Sequence, residues 1–197
     1  LAALRQTNFW SKRTIVEDGH QYWRTYIRFD GNHDVLPIFI PVHQDAVLAE
    51  TYKGTLIAQF KQLRRWSYGA SDIPYVIVKG YFMNKKISRL DLTMKLARLI
   101  EGHISWATAA ILIAFAVWIP YFFTPNGESS VVVQQLPGLV IWLQQLATVG
   151  IFVTMYVGIK SLPPRPGGIK RSRHIAMYLQ WVLLPITTLV YNTAAAL

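Results

Sequence analysis

The sequence predicts two fold classes in succession: the C-terminal part of an α/β domain, then an α-helical transmembrane bundle joined to it by interfacial amphipathic helices. Three observations predict this. Hydrophobic residues make up 52% of the 197 and charged residues 15%, against roughly 25% charged in ordinary soluble domains. Fifteen of the 20 Lys and Arg fall in residues 1–103 and the other five in 160–173, leaving 104–159 and 174–197 without a basic residue. Residues 1–80 mix helical periodicity with a short apolar run punctuated by prolines, a pattern suited to alternating helix and strand. We therefore divide the chain into residues 1–80, a cytosolic domain piece; 81–103, an interfacial amphipathic segment; and 104–197, a membrane domain.

The formal net charge of +10 comes in blocks. A diffuse nucleic-acid binder would not confine its charge between blank apolar stretches, whereas a membrane protein obeying the positive-inside rule would. Nucleic acid is accordingly not an expected partner, and the lipid bilayer is. The chain has no Cys, which excludes disulfides and Cys-based metal sites. It opens at Leu1 without a Met or a signal-peptide pattern and stops at Leu197 inside an apolar run, so we expect a piece of a longer protein.

In order, Tyr22, Tyr26 and Phe29 recur at helical spacing with Trp23 and Ile27 beside them, predicting a helix from Glu17 or Asp18. Two acids at a helix start ordinarily offset its dipole and cap free N–H groups. Alternatively Asp18 projects into a site as a general base, since a carboxylate at a helix N-terminus stays ionised. A Gly-containing turn, Arg28–Asp34, precedes Val35–Val42, read as a short buried strand. His20, His33 and His43 show no metal-ligand spacing and read as surface or internally satisfied histidines. His20, two residues from Asp18, is the best exception.

Asp45 to Trp66 reads as a helix with an apolar stripe of Tyr52, Leu56, Phe60 and Leu63. Gln62, Arg65 and Trp66 share another flank, at i, i+3 and i+4. An amide that binds hydroxyls, a guanidinium that clamps phosphate and an indole that stacks on a sugar ring would make a functional surface. The same residues also suit a helix resting at a membrane surface.

Ser71–Val78 is a short apolar segment after a turn. Lys85–Glu101 is an amphipathic helix, with Ile87, Leu90, Met94 and Ala97 on one stripe and Asp91, Lys95 and Arg98 on a charged face. Such a helix before a span lies in the headgroup plane or packs, solvated, on the soluble domain. Three spans follow, at about 104–123, 136–159 and 175–197, the last kinked at Pro185. A loop free of basic residues, Thr124–Ser130, and a basic one, Lys160–Arg173, give the topology: residues 1–103 cytosolic, then out, in and out. Gln144 and Gln145, mid-span, read as interhelical polar contacts or as the lining of a path through the membrane.

Glu17-Asp18, then Gln62-x-x-Arg65-Trp66, then transmembrane helices, resembles the family-2 glycosyltransferases. The likeness is to their membrane-integrated branch, which includes cellulose, chitin, hyaluronan and poly-N-acetylglucosamine synthases. Glu50-Thr51 resembles the Pro-Glu-Thr lead-in often found there. Val16 stands where the family's usual Thr would be, a residue that is not the base. A chance Gln-x-x-Arg-Trp match in a chain of this composition has a probability on the order of one per cent.

The resemblance implies a GT-A-like domain of which this is the later part, an inverting transfer from a nucleotide-sugar donor to a saccharide acceptor, and a cell-membrane location. It implies that Asp18 is the general base, that Glu17 shapes its site, that Gln62 and Arg65 face the sugar diphosphate, and that Trp66 is the acceptor's stacking floor. A divalent metal, Mg or Mn, is also implied. Its Asp-x-Asp ligands belong to the family's earlier half and do not occur in this sequence. Additional membrane subunits are conceivable partners. The competing expectation is a non-catalytic multi-pass protein, a transporter or assembly subunit, with a basic cytosolic domain.

Overall fold

The computed structural model describes residues 2–40, 42, 44, 46–116, 118–123, 131–163 and 170–197. Pro41, His43 and Asp45, the 124–130 loop and residues 164–169 of the basic loop lie outside them. All regular structure among the described residues is helical, with no strand and no sheet. This overturns the α/β expectation. The expected strand at 35–42 has no ladder partner, and a lone extended run cannot form a strand. Pro37 supplies no N–H, and the Ile40 N–H turns back to the Ile38 carbonyl at 2.9 Å, a γ-turn rather than an extended ladder. Instead of being buried, Leu36 and Phe39 are 84% and 92% exposed.

The chain divides into two units: Leu1–Pro41 with Ala46–Ala107 and Ala194–Leu197, and Val42–Asp45 with Thr108–Thr193. In the first, α1 (Ala2–Gln6) leads to α2 (Glu17–Arg28). The turn between them is tied to α2 by Gln21, whose amide donates to the Thr7 hydroxyl at 2.7 Å, and by the Arg24 guanidinium, which donates to the Phe9 carbonyl at 2.6 Å. α2 ends where the sequence places its turn. Asp30 and Gly31 take φ of 55° and 89°, and the Gly31 N–H bonds back to the Tyr26 carbonyl at 2.8 Å, a left-handed cap that glycine enters without a Cβ clash.

α3 (Tyr52–Ser67) begins seven residues later than expected because Thr51 caps it, its hydroxyl accepting from the Gly54 N–H at 3.0 Å. A 3-10 turn, Tyr68–Ser71, leads into α4 (Asp72–Val76) and a π-helical stretch, Ile77–Met83. The segment 71–78 is thus helical throughout. α5 (Arg89–Ile111) carries the charged segment and the start of the apolar run on one helix, without a break at 103.

The core of this unit joins Trp23 and Tyr26 of α2 to Val76 of α4, Ile87, and Leu92 and Leu96 of α5. A fully buried Leu or aromatic side chain contributes about 1.5–3 kcal/mol by leaving water. Part of the face read as charged also turns inward: Tyr26 donates to Asp91 at 2.5 Å, and Lys95 pairs with the same carboxylate at 2.7 Å. Leu90 and Met94, of the expected apolar stripe, are exposed. At the chain end, Ala195 is buried and its carbonyl accepts from the Ser67 hydroxyl at 3.1 Å.

The second unit continues with α6 (Trp118–Phe123), α7 (Val131–Lys160, with Pro137 inside it) and α8 (Arg171–Leu179). Beyond α8 the helix changes to 3-10 form at Gln180–Leu183, then α at Leu184–Thr187 around Pro185, then π at Thr188–Thr193. Gln144 donates from Nε2 to the Ile113 carbonyl at 3.3 Å, a side chain spending its polarity on another helix's backbone. Among the described residues three helices are long and apolar enough to cross a membrane: Arg89–Pro120, Gln134–Lys160 and Ile175–Ala196.

Candidate active site

The first unit contains a cavity of about 360 Å³, within the size range of small-ligand sites. Asp18, Gly19 and Trp23 line it from α2, with Val16 just ahead of the helix, and Trp66 lines it from the last turn of α3. The rest of the lining is Gly69, Asp72 at the start of α4, and Leu99 and His103 on α5. Asp18 and Trp66, singled out separately in the sequence, therefore share one cavity. Gln62, Arg65 and Glu17 are not part of its lining. Glu17 and Arg65 are exposed and Gln62 is half-buried on the same helix as Trp66.

Asp18 does two things at once. Its Oδ1 accepts from the Gly19 N–H at 2.8 Å, satisfying a donor that the helix start would leave free. Its side chain is also exposed on the cavity wall. Val16, the residue preceding the helix, makes no side-chain cap, so the acids of the first turn face the helix dipole unaided.

Beside Asp18 lies a pair that the sequence reading missed. His20 Nδ1 and Asp72 Oδ1 are 2.5 Å apart across 52 residues, and both side chains are buried. A carboxylate only accepts, so Nδ1 carries the proton. The His20 ring rests against Tyr75, centroids 4.5 Å apart. Burial pushes the Tyr75 phenol above its ordinary range, with Arg24 opposing and Asp72 adding to the rise. His20 is thus an internally satisfied histidine, as its spacing suggests, and it is satisfied at the cavity. A lone acid inside the apolar stretch Ser71–Val78 was the only local signal for Asp72.

Among the described residues no group of three or more His, Asp or Glu side chains converges to hold a cation. The implied divalent metal therefore has no ligand group among the described residues. In the second unit an apolar cavity of about 620 Å³ lies between helices, with Gln144 and Thr148 among its few polar neighbours.

No family model, no curated protein and no solved structure matches the chain.

Proposed function

We propose that this chain carries the acceptor side of an inverting membrane glycosyltransferase. The observation that supports it is the meeting of a helix-start carboxylate and an exposed indole at one cavity, from positions 18 and 66. A single-displacement transfer needs one base on the acceptor side and a rigid apolar face to hold the acceptor in line. Asp18 takes the proton of an acceptor hydroxyl. That oxygen then bonds to the anomeric carbon of the donor as its bond to the nucleoside diphosphate breaks. One displacement inverts the centre, so an α-linked donor yields a β-linked product. Trp66 stacks the acceptor ring. Arg65 and Gln62, on the exposed side of α3, take the diphosphate and sugar of the donor, a division carried by the resemblance and by the affinity of a guanidinium for phosphate.

The chain sits in the cell membrane with residues 1–103 and 160–173 in the cytosol, supported by the confinement of all 20 Lys and Arg to those two blocks. The test is transfer from labelled nucleotide-sugars, offered as a panel with Mg or Mn, by the full-length protein and its Asp18→Asn variant. Loss of a positioned base lowers kcat by about 10²–10⁴ while donor binding persists. An equal loss of donor binding would remove Asp18 from the base role. Transfer from no donor by the unaltered protein would favour a non-catalytic membrane protein.

A further inference from the structure

The cavity wall holds a second carboxylate whose burial needs a reason. Asp72 is only 3% exposed, and burying a charge is expensive unless it is paired. Among the described residues its side chain makes one bond, His20 Nδ1 to Oδ1 at 2.5 Å, which leaves Oδ2 with open acceptor capacity. Oδ2 lies beside Gly19, where a Cβ would stand 3.7 Å from it. Asp72 and Gly19 are both cavity-lining residues, next to Asp18 and to the indoles of Trp23 and Trp66. Flat indole faces and carboxylates together match a pyranose ring, which offers C–H faces and hydroxyl donors.

We propose that Asp72 is a second contact for the acceptor sugar. It accepts a hydrogen bond from a ring hydroxyl other than the one that Asp18 deprotonates, and His20 is its positioning residue. This rests on the glycosyl-transfer reading above and deepens it. The division of labour is chemical. Asp18, exposed and anchored to one backbone N–H, is free to take a proton. Asp72, buried and bound to an imidazole, is held as an acceptor and fixes which face and register of the ring Asp18 meets.

The experiment is steady-state kinetics on the full-length protein with chitotetraose and cellotetraose as acceptors and the donor that supports transfer at saturation. The variants are Asp72→Asn, His20→Leu and His20→Asn. Asp72→Asn keeps an oxygen for the His20 N–H but turns the other acceptor into a donor, so it preserves the fold while losing the hydroxyl contact. It raises the acceptor KM by about 10–100-fold and leaves the donor KM within about twofold. His20→Leu follows it. His20→Asn, whose amide can donate from nearly the same position as Nδ1, restores the acceptor KM toward that of the unaltered protein. An unchanged acceptor KM in Asp72→Asn overturns the inference and leaves the transfer reading intact. So does a loss shared equally by donor and acceptor, or traced to unfolded protein by thermal denaturation. Absence of transfer by the unaltered protein with every donor overturns the transfer reading and this inference with it.

Discussion

Replacing His20 by Leu should cost more than replacing His20 and Asp72 together. The structure gives the size. His20 and Asp72 are 7% and 3% exposed and bonded at 2.5 Å, so the single change leaves a carboxylate in the wall with no partner. Breaking a buried pair in this way costs about 3–5 kcal/mol. The cavity beside Asp72 admits water, which returns part of its solvation, so the lower end, about 3 kcal/mol, is expected. His20→Leu with Asp72→Leu removes charge and donor alike and should approach the unaltered protein, leaving a coupling of at least about 3 kcal/mol. Hydrogen exchange read by mass spectrometry on peptides covering α2 and α4 measures this in the intact, detergent-solubilised chain. About 3 kcal/mol of lost local stability accelerates exchange roughly 100-fold where opening is in equilibrium. The reasoning is refuted if the single variant exchanges like the unaltered protein. It is equally refuted if the double variant loses the sum of the two single losses.

Trp66→Ala should remove acceptor stacking, about 0.5–1.5 kcal/mol beyond the area lost, and so raise the acceptor KM several-fold with donor binding untouched, as read by titration with a nucleotide-sugar. Alkaline pH should weaken the first unit. Burial, and then the bond to Asp91, raise the folded pKa of Tyr26 above its ordinary 10, so the unfolded chain releases that proton first. The associated stability is whole below about pH 10 and declines above it by up to about 1.4 kcal/mol per pH unit for this group. Tyr26→Phe should flatten that decline by one proton's worth in denaturation curves taken between pH 9 and about 11. The absence of native Cys permits single-cysteine labelling in sealed vesicles. Lys12→Cys and Ser172→Cys should react from the cytosolic side. Labelling of either position only from the outside would sink the assigned topology.

The helix at 17–28 was legible because acids at its start, aromatic periodicity and a Gly turn at its end all agree. The apolar helices were legible from length and hydropathy alone. The strand expected at 35–42 failed, because β-branched composition and punctuation signal an extended run without signalling a partner for it, and the described residues provide none. α3 was extended too far toward its N-terminus because Thr51 was weighed as part of a family motif rather than as a cap, although a Thr before a helical run is a start signal. The charged face of α5 was read as solvated because Asp91 and Lys95 are spaced for a surface pair. Nothing local shows that Tyr26, 65 residues earlier, would donate into it.

Asp18 and Trp66 were singled out in the sequence and the cavity wall between them was not, for one physical reason. Asp18 and Trp66 lie at helix ends, where sequence carries signals, whereas Asp72 is paired with His20, 52 residues away. The two readings of Glu17-Asp18, cap or base, also turn out not to compete. A carboxylate has two oxygens, and Asp18 commits one to the Gly19 N–H at 2.8 Å. That bond restrains the side chain through one oxygen and leaves the second uncommitted to it. Asp72 divides its oxygens in the same way, with an imidazole in place of the backbone donor. A base that must meet one hydroxyl of a ring benefits from both restraints, since misplacing reacting atoms by an ångström is costly to rate. The cap reading and the proposed base role of Asp18 are therefore compatible.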